Sequence, residues 1–265
     1  MQYLYLMRVN RTKKMLREGH VAFGCSVSLS RSAEIPRMYA AAGLDWIFID
    51  TEHGPFTVET IQDLVRVCSM TTITPIVRVA DFQYSLVARA LDMGAEGIIF
   101  PRVDSAEVLA EAISWTKFPP QGVRGCGFTP AIVNYANASV TEVTAHLNEQ
   151  TMVVFQIESQ AAVERCDELV SVPGVDAVMI GPADLSISYG VGGQFEHPDV
   201  IGAIEKVIEA CNRHGRSPSI QTRDPKMAKF WIDRGMKLVG CGNDLMLLWN
   251  SVSRLAKDLH AARGD

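Results

Sequence analysis

Eight short apolar segments, each followed by a stretch with helical periodicity, constrain the fold of this chain more than any other feature of its 265 residues. Most of these segments are apolar along their whole length, as in strands that are covered on both faces. Eight parallel strands joined by crossover helices favour a closed barrel. The predicted strands are Phe23–Leu29, Trp46–Asp50, Pro75–Val79, Gly97–Val103, Met152–Glu158, Ala177–Gly181, Ser217–Gln221 and Lys237–Cys241.

The segments between these strands have the spacing of helices with one apolar face. The predicted helices include Ala33–Ala42, Val58–Ser69, Ser85–Met93 and Ser105–Lys117. A glycine stands where four of the helices are expected to end, which is its preferred position. These glycines are Gly43, Gly94, Gly215 and Gly235. We therefore predict one α/β domain over residues 1–265, folded as a (β/α)₈ TIM barrel.

Two segments depart from the simple alternation. The loop Phe118–Ala138, which contains PPQGVRGCGFTP, is long for a compact domain, and such loops are usually functional. The last segment carries an apolar stripe from Leu245 to Leu259, which could close the barrel or pack on another subunit.

Composition excludes several classes of protein. With 48% hydrophobic and 21% charged residues the chain is not a disordered one. A net charge of -5 and the absence of any basic block predict no nucleic-acid or membrane partner. The segment Tyr3–Met7 is too short for a secretion signal, so we expect a cytoplasmic protein. Its six cysteines are isolated in the sequence and are predicted to be reduced thiols.

The active site of a TIM barrel lies at the carboxyl ends of its strands, which makes the polar residues there the first candidates. They are Asp50, Glu52, His53, Arg78, Arg102, Gln156, Glu158 and Asp184. The charge of Arg78 needs a partner, either a structural carboxylate or a substrate oxygen. His53 follows an apolar strand on a Gly-Pro turn, where it could transfer protons or be an ordinary loop histidine.

Glu158 and Asp184 are the candidate metal ligands. They follow neighbouring strands, and two carboxylates there would repel each other unless a divalent cation lay between them. Alternatively, Glu158 is a carboxylate at a helix N-terminus and Asp184 caps the turn Leu185–Ser188, and backbone N–H groups satisfy both. The segment GPADLS could also present the backbone N–H groups of Ala183 and Asp184 to a substrate carboxylate, or form only a tight turn.

Six motifs together resemble one known family, the HpcH/HpaI aldolases, which are metal-dependent pyruvate aldolases. The motifs are IDTEHGPF, TPIVRV, LDMGAEGIIFPRV, PPQGVRGCG, VVFQIES and VDAVMIGPADLS, in this order. The resemblance runs from about Phe23 to Asp244. It implies a TIM barrel assembled as a homo-oligomer, a hexamer or trimer, with the C-terminal helix exchanged between subunits.

The resemblance also implies a role for each residue of the site. Glu158 and Asp184 would bind Mg²⁺, Mn²⁺ or Co²⁺. Arg78 would hold the keto oxygen of pyruvate, and His53 would be the acid and base. The remaining implied roles are orientation of His53 by Asp92, contact of the backbone after Gly181 with the substrate carboxylate, and substrate binding by Gln156, Asp50 and Arg124. By periodicity alone, Asp92 is an ordinary acid at a helix end.

The implied reaction is the reversible cleavage of a 4-hydroxy-2-oxo acid to pyruvate and an aldehyde through an enolate of pyruvate. Alternatives are an oxaloacetate decarboxylase, a CoA-thioester lyase and a barrel that binds a ligand without catalysis. The chain departs from many relatives at Phe128, Thr129 and Pro130, where they carry serine and arginine. This less polar stretch predicts an aldehyde without a distal carboxylate.

Overall fold

The computed structural model describes residues 7–263, in which eight parallel strands close into a barrel. Each strand pairs with the next one in the chain, and the eighth pairs with the first. The strands are β1 (Ala22–Val27), β2 (Trp46–Asp50), β3 (Thr74–Arg78), β4 (Gly97–Phe100), β5 (Met152–Ile157), β6 (Ala177–Ile180), β7 (Ser217–Thr222) and β8 (Leu238–Asn243). All eight predicted strands are present, and the TIM-barrel prediction is confirmed.

Helices surround the barrel. Within residues 7–263 they are α1 (Arg11–Arg17), α2 (Glu34–Ala41), α3 (Val58–Ser69), α4 (Tyr84–Asp92), α5 (Ala106–Ser114), α6 (Val140–Gln150), α7 (Gln160–Glu164), α8 (Cys166–Ser171), α9 (Pro182–Ser188), α10 (Pro198–His214), α11 (Pro225–Ile232) and α12 (Asp244–Arg263). The four predicted helix-end glycines have φ between 63° and 106°. Glycine adopts this left-handed conformation without steric cost, so the predicted helix ends are confirmed.

Alternate side chains of the strands face the barrel interior and the surrounding helices. Trp46 and Phe48 of β2 belong to the apolar cluster inside the barrel, whereas Ile47 and Ile49 belong to the cluster that packs against the helices. Extending this alternation by one residue directs Asp50 inward at the carboxyl end of β2. Burial of the apolar residues thereby determines which polar side chains reach the mouth of the barrel.

Within the described residues, the last helix, α12, buries one residue, Asp244 at its start. The carboxylate of Asp244 accepts hydrogen bonds from the backbone N–H groups of Ser28, Leu29 and Ser30, at 3.0, 3.1 and 2.6 Å. Farther along, the predicted apolar stripe is exposed, with 63% of Trp249 accessible. The helix therefore does not close the barrel.

No helix within residues 7–263 is both long enough and apolar enough to cross a membrane. Of the N-terminal segment Tyr3–Met7, only Met7 lies inside the described residues.

Candidate active site

Eight of the ten residues predicted for the site line one cavity of about 530 Å³ at the carboxyl ends of the strands. They are Asp50, His53, Arg78, Gln156, Glu158, Gly181, Ala183 and Asp184. They come from β2, β3, β5, β6 and the turns that follow these strands. The active site of a TIM barrel lies at this end of the strands, and that rule alone predicts that these residues share one cavity.

Arg78 lies at the centre of a network of charged groups at the base of this cavity. The β2–β3 register puts Asp50 opposite Arg78, and the guanidinium donates to both oxygens of Asp50 at 2.9 and 2.8 Å. It also lies 3.0 Å from Glu52 Oε2 and donates to Gln156 Oε1 at 3.2 Å. Burial opposes the positive charge, but hydrogen bonding to Asp50 and the nearby carboxylates raise the pKa of Arg78. Its structural partners are therefore two carboxylates and an amide.

The carboxylate of Glu158 is held by two donors. Its Oε1 accepts Gln156 Nε2 at 2.8 Å, and its Oε2 accepts the backbone N–H of Arg102 at 3.3 Å. Arg102 adopts φ 49°, which is uncommon outside glycine. A Cβ at position 181 would overlap Oε1, so glycine there lets the carboxylate of Glu158 keep this position.

Glu158 lies in an environment that disfavours its negative charge. Burial and the neighbouring Asp184 and Glu52 carboxylates raise its pKa to about 7, against the opposing effect of Arg78. Asp184 is exposed in the first turn of α9, and within residues 7–263 its carboxylate accepts no hydrogen bond and forms no ion pair. A cation between Glu158 and Asp184 would relieve their repulsion.

The capping alternative for these two carboxylates does not match the structure. Ser159, not Glu158, caps α7 by accepting the N–H of Ala162. Helix α9 begins after Gly181 and has no side-chain cap.

The donor set fits a hard divalent cation that keeps positions open for other ligands. Two carboxylates suit such an ion when substrate and water complete its coordination. No group of three or more His, Cys, Asp and Glu side chains that could hold a metal ion occurs in the part of the chain that the structure describes. Glu158 and Asp184 would therefore leave most of the coordination to the substrate and solvent.

His53 stands at the rim of the cavity. Its side chain is 68% exposed, and its Nε2 lies 3.9 Å from Glu52 Oε2. The backbone N–H groups of Glu52 and His53 donate to Asp50 Oδ1 at 3.1 and 3.3 Å, so one carboxylate orients both the turn and Arg78. The exposed imidazole thus borders the space in which a substrate would lie.

The structure does not bring Asp92 and Arg124 to this cavity. They pair with each other at 2.8 Å, and Asp92 lines a separate cavity together with Thr129. No hydrogen bond or ion pair joins Asp92 to His53 within residues 7–263, so the dyad implied by the resemblance is not formed inside one chain.

Phe128 packs edge-on against Phe118, with 5.8 Å between ring centroids.

Sequence reasoning missed the residues that β7 and β8 contribute to the cavity. Gln221, Arg223 and Asn243 all line it. Gln221 is the last residue of the predicted seventh strand, whereas the predicted eighth strand stopped at Cys241, two residues before β8 ends at Asn243. A signal was present in the sequence, since polar residues follow both predicted strands at the end where the site lies.

Buried carboxylates and a paired arginine lie together at the carboxyl ends of the strands, where TIM-barrel enzymes have their active sites. This arrangement is typical of an enzyme that acts on a small anionic substrate. Comparison with known proteins specifies the class. The family model "HpcH/HpaI aldolase/citrate lyase" matches residues 26–251. The chain belongs to this family.

Individual relatives agree with the family assignment. A hydroxypyruvate/pyruvate aldolase of Roseobacter denitrificans is 34% identical over 94% of this chain and 96% of its own length. A 2-keto-3-deoxy-L-rhamnonate aldolase of Salmonella gallinarum is 34% identical over 93% of this chain and 92% of its own. The crystal structure of an HpcH/HpaI aldolase from Desulfitobacterium hafniense, 34% identical, superposes with a TM-score of 0.90 over 94% of this chain and 96% of that one. The chain is accordingly a carbon–carbon lyase of the aldolase type with a divalent metal cofactor.

Proposed function

We propose that this enzyme reversibly cleaves a 4-hydroxy-2-oxo acid into pyruvate and an aldehyde. The observation that carries the proposal is that three charged groups line one cavity. They are the carboxylates of Glu158 and Asp184, which suit a metal ion, and the guanidinium of Arg78. Cleavage leaves an enolate of pyruvate, and stabilising its negative charge is the main demand on the catalyst.

Glu158 and Asp184 would hold the divalent cation, and Mg²⁺, Mn²⁺ and Co²⁺ all suit oxygen ligands to different degrees. When bound, the cation supplies a Lewis acid for the oxygen on which negative charge develops. Gln156 keeps the carboxylate of Glu158 in place by donating to Oε1 at 2.8 Å.

Arg78 would place its positive charge beside the keto oxygen of pyruvate. Its bonds to Asp50 fix the guanidinium before substrate arrives, so little reorganisation is needed during the reaction. The backbone N–H groups of Ala183 and Asp184, in the first turn of α9, would bind the substrate carboxylate.

His53 would accept the proton of the substrate hydroxyl during cleavage and return it during synthesis. We expect His53→Ala to slow aldol cleavage by about 10²-fold. Decarboxylation of oxaloacetate needs no deprotonation of a hydroxyl, so its rate should change by less than about threefold. Both rates are measured as pyruvate formed, with His214→Ala on α10 as a control remote from the cavity. Equal losses in the two reactions would contradict this role.

The proposed function can be tested without knowing the aldehyde. Enolate formation exchanges the methyl protons of pyruvate with solvent, so incubation in D₂O with the enzyme and Mg²⁺ or Mn²⁺ should incorporate deuterium at C3. Proton NMR measures the exchange, and a chelator should stop it. Exchange that ignores the chelator, or no exchange with any divalent cation, would contradict a metal-dependent pyruvate aldolase.

We further propose that the enzyme is a homo-oligomer in which α12 packs on a neighbouring subunit. This is supported by the exposed apolar stripe, which the chain's own barrel leaves uncovered and which includes Leu248, Trp249, Val252 and Leu255.

The charge substitution Leu255→Glu tests this interface. A carboxylate buried in an apolar contact is costly, so the variant should sediment as a smaller species than the unsubstituted enzyme. Lys257→Glu, which alters a polar position of the same helix, should leave the sedimentation coefficient unchanged. A monomeric unsubstituted enzyme, or an L255E variant of unchanged size, would overturn the proposed interface.

A further inference from the structure

Arg223 is a second arginine in the wall of the active-site cavity, and it differs from Arg78 in having no acidic partner. It follows β7 directly and lines the cavity. Within residues 7–263 its guanidinium forms no hydrogen bond or ion pair with another side chain. An exposed cation that lines a substrate cavity and forms no ion pair is available to bind an anion.

The guanidinium of Arg223 lies over an aromatic ring. Its central carbon lies 4.5 Å from the centroid of Phe195, which also lines the cavity. Stacking on a ring uses the face of a guanidinium and leaves the N–H donors of its edge unoccupied. Those donors match the two oxygens of a carboxylate or phosphate.

The acidic residues near Arg223 do not neutralise it by pairing. Asp224, the next residue, caps α11 and accepts the N–H groups of Lys226 and Met227 at 2.8 and 3.0 Å. Glu196 lines an adjoining cavity of about 740 Å³, and within residues 7–263 it forms no ion pair with Arg223. Arg223 lines the active-site cavity itself.

We propose that Arg223 binds an anionic group at the far end of the aldehyde, so that the preferred acceptors carry a carboxylate or a phosphate. The inference rests on the proposed function, in which Arg78, Glu158 and Asp184 serve the pyruvate half. Arg223 then offers a positive charge to the other half of the substrate. The opposite expectation from the sequence relied on Phe128, Thr129 and Pro130, and none of these lines the active-site cavity of this chain.

Paired aldehydes test the inference directly. Condensation with pyruvate is measured for succinic semialdehyde against butanal, and for glyceraldehyde 3-phosphate against glyceraldehyde. Arg223→Gln should lower kcat/KM by about 10- to 100-fold for the preferred anionic aldehyde, the loss expected for one hydrogen bond to a charged group. Its kcat/KM for the neutral member of the same pair should change less than about twofold. In the unsubstituted enzyme, the pair with the larger ratio of kcat/KM between its anionic and neutral members shows whether the anionic group is a carboxylate or a phosphate.

Two further variants distinguish an effect of the Arg223 charge from a disturbance of the fold. Arg223→Lys keeps the charge and should retain part of the preference for the anionic aldehyde. Lys226→Gln removes a nearby charge that does not line the active-site cavity and should leave the preference unchanged. An R223Q variant that loses activity equally on both members of a pair, or on neither, overturns the role of Arg223. If the unsubstituted enzyme also fails to exchange the protons of pyruvate, the proposed function itself is overturned.

Discussion

Replacing Glu158 by Gln is expected to lower kcat/KM for aldol cleavage by roughly 10³-fold or more. A Lewis acid contributes several kcal/mol to the stabilisation of developing charge, and each 1.36 kcal/mol corresponds to about a factor of ten. The amide keeps the shape of the side chain and an acceptor for Gln156, but it removes one of the two charges that would attract a cation. The cation and the activity should therefore be lost together.

This prediction requires two measurements on the same variant. Binding of Mn²⁺ is followed by calorimetric titration, and turnover by pyruvate release. Glu164→Gln on α7 is the matched control, because Glu164 is exposed and, within residues 7–263, its side chain bonds only to Gln160 of its own helix. Unchanged affinity for Mn²⁺ in E158Q would show that the cation is held elsewhere, and full turnover would show that Glu158 is not required.

Much of the site was predictable because strand residues alternate between the two faces of the barrel wall. Burial of Trp46 and Phe48 inside the barrel fixes the direction of Asp50, and burial of Met152 and Val154 does the same for Gln156. Side chains at the ends of neighbouring strands then meet without any long-range information. The same reasoning applies to Gln221, because it is in phase with Ser219 and is the last residue of the predicted strand Ser217–Gln221.

Features that depend on irregular segments could not be predicted in this way. The pairing of Arg124 with Asp92 depends on the path of the 118–138 loop, which no periodicity specifies. The apolar stripe of α12 was visible in the sequence, but whether the barrel covers it depends on the direction in which the helix leaves β8. The single domain over residues 1–265 and the cytoplasmic location stay predictions.

Replacing Arg78 by Leu should damage both the catalyst and the fold. The side chains of Asp50 and Glu52 are 9% and 8% exposed, and the substitution leaves both without their shared counter-ion. Breaking a buried ion pair from one side costs about 3–5 kcal/mol, which for a chain of this size lowers Tm by about 10 °C. Loss of a charge beside the keto oxygen should lower kcat/KM by about 10²- to 10³-fold.

The double variant Arg78→Leu with Asp50→Asn separates these two effects. Asparagine removes one of the stranded charges while its carbonyl oxygen still accepts the N–H groups of Glu52 and His53. Glu52 keeps an ion pair with Arg102, 3.0 Å away. The double variant should therefore regain part of the lost Tm in thermal unfolding but none of the lost activity. Activity that returns together with Tm would mean that Arg78 supports the fold alone and does not act on the substrate.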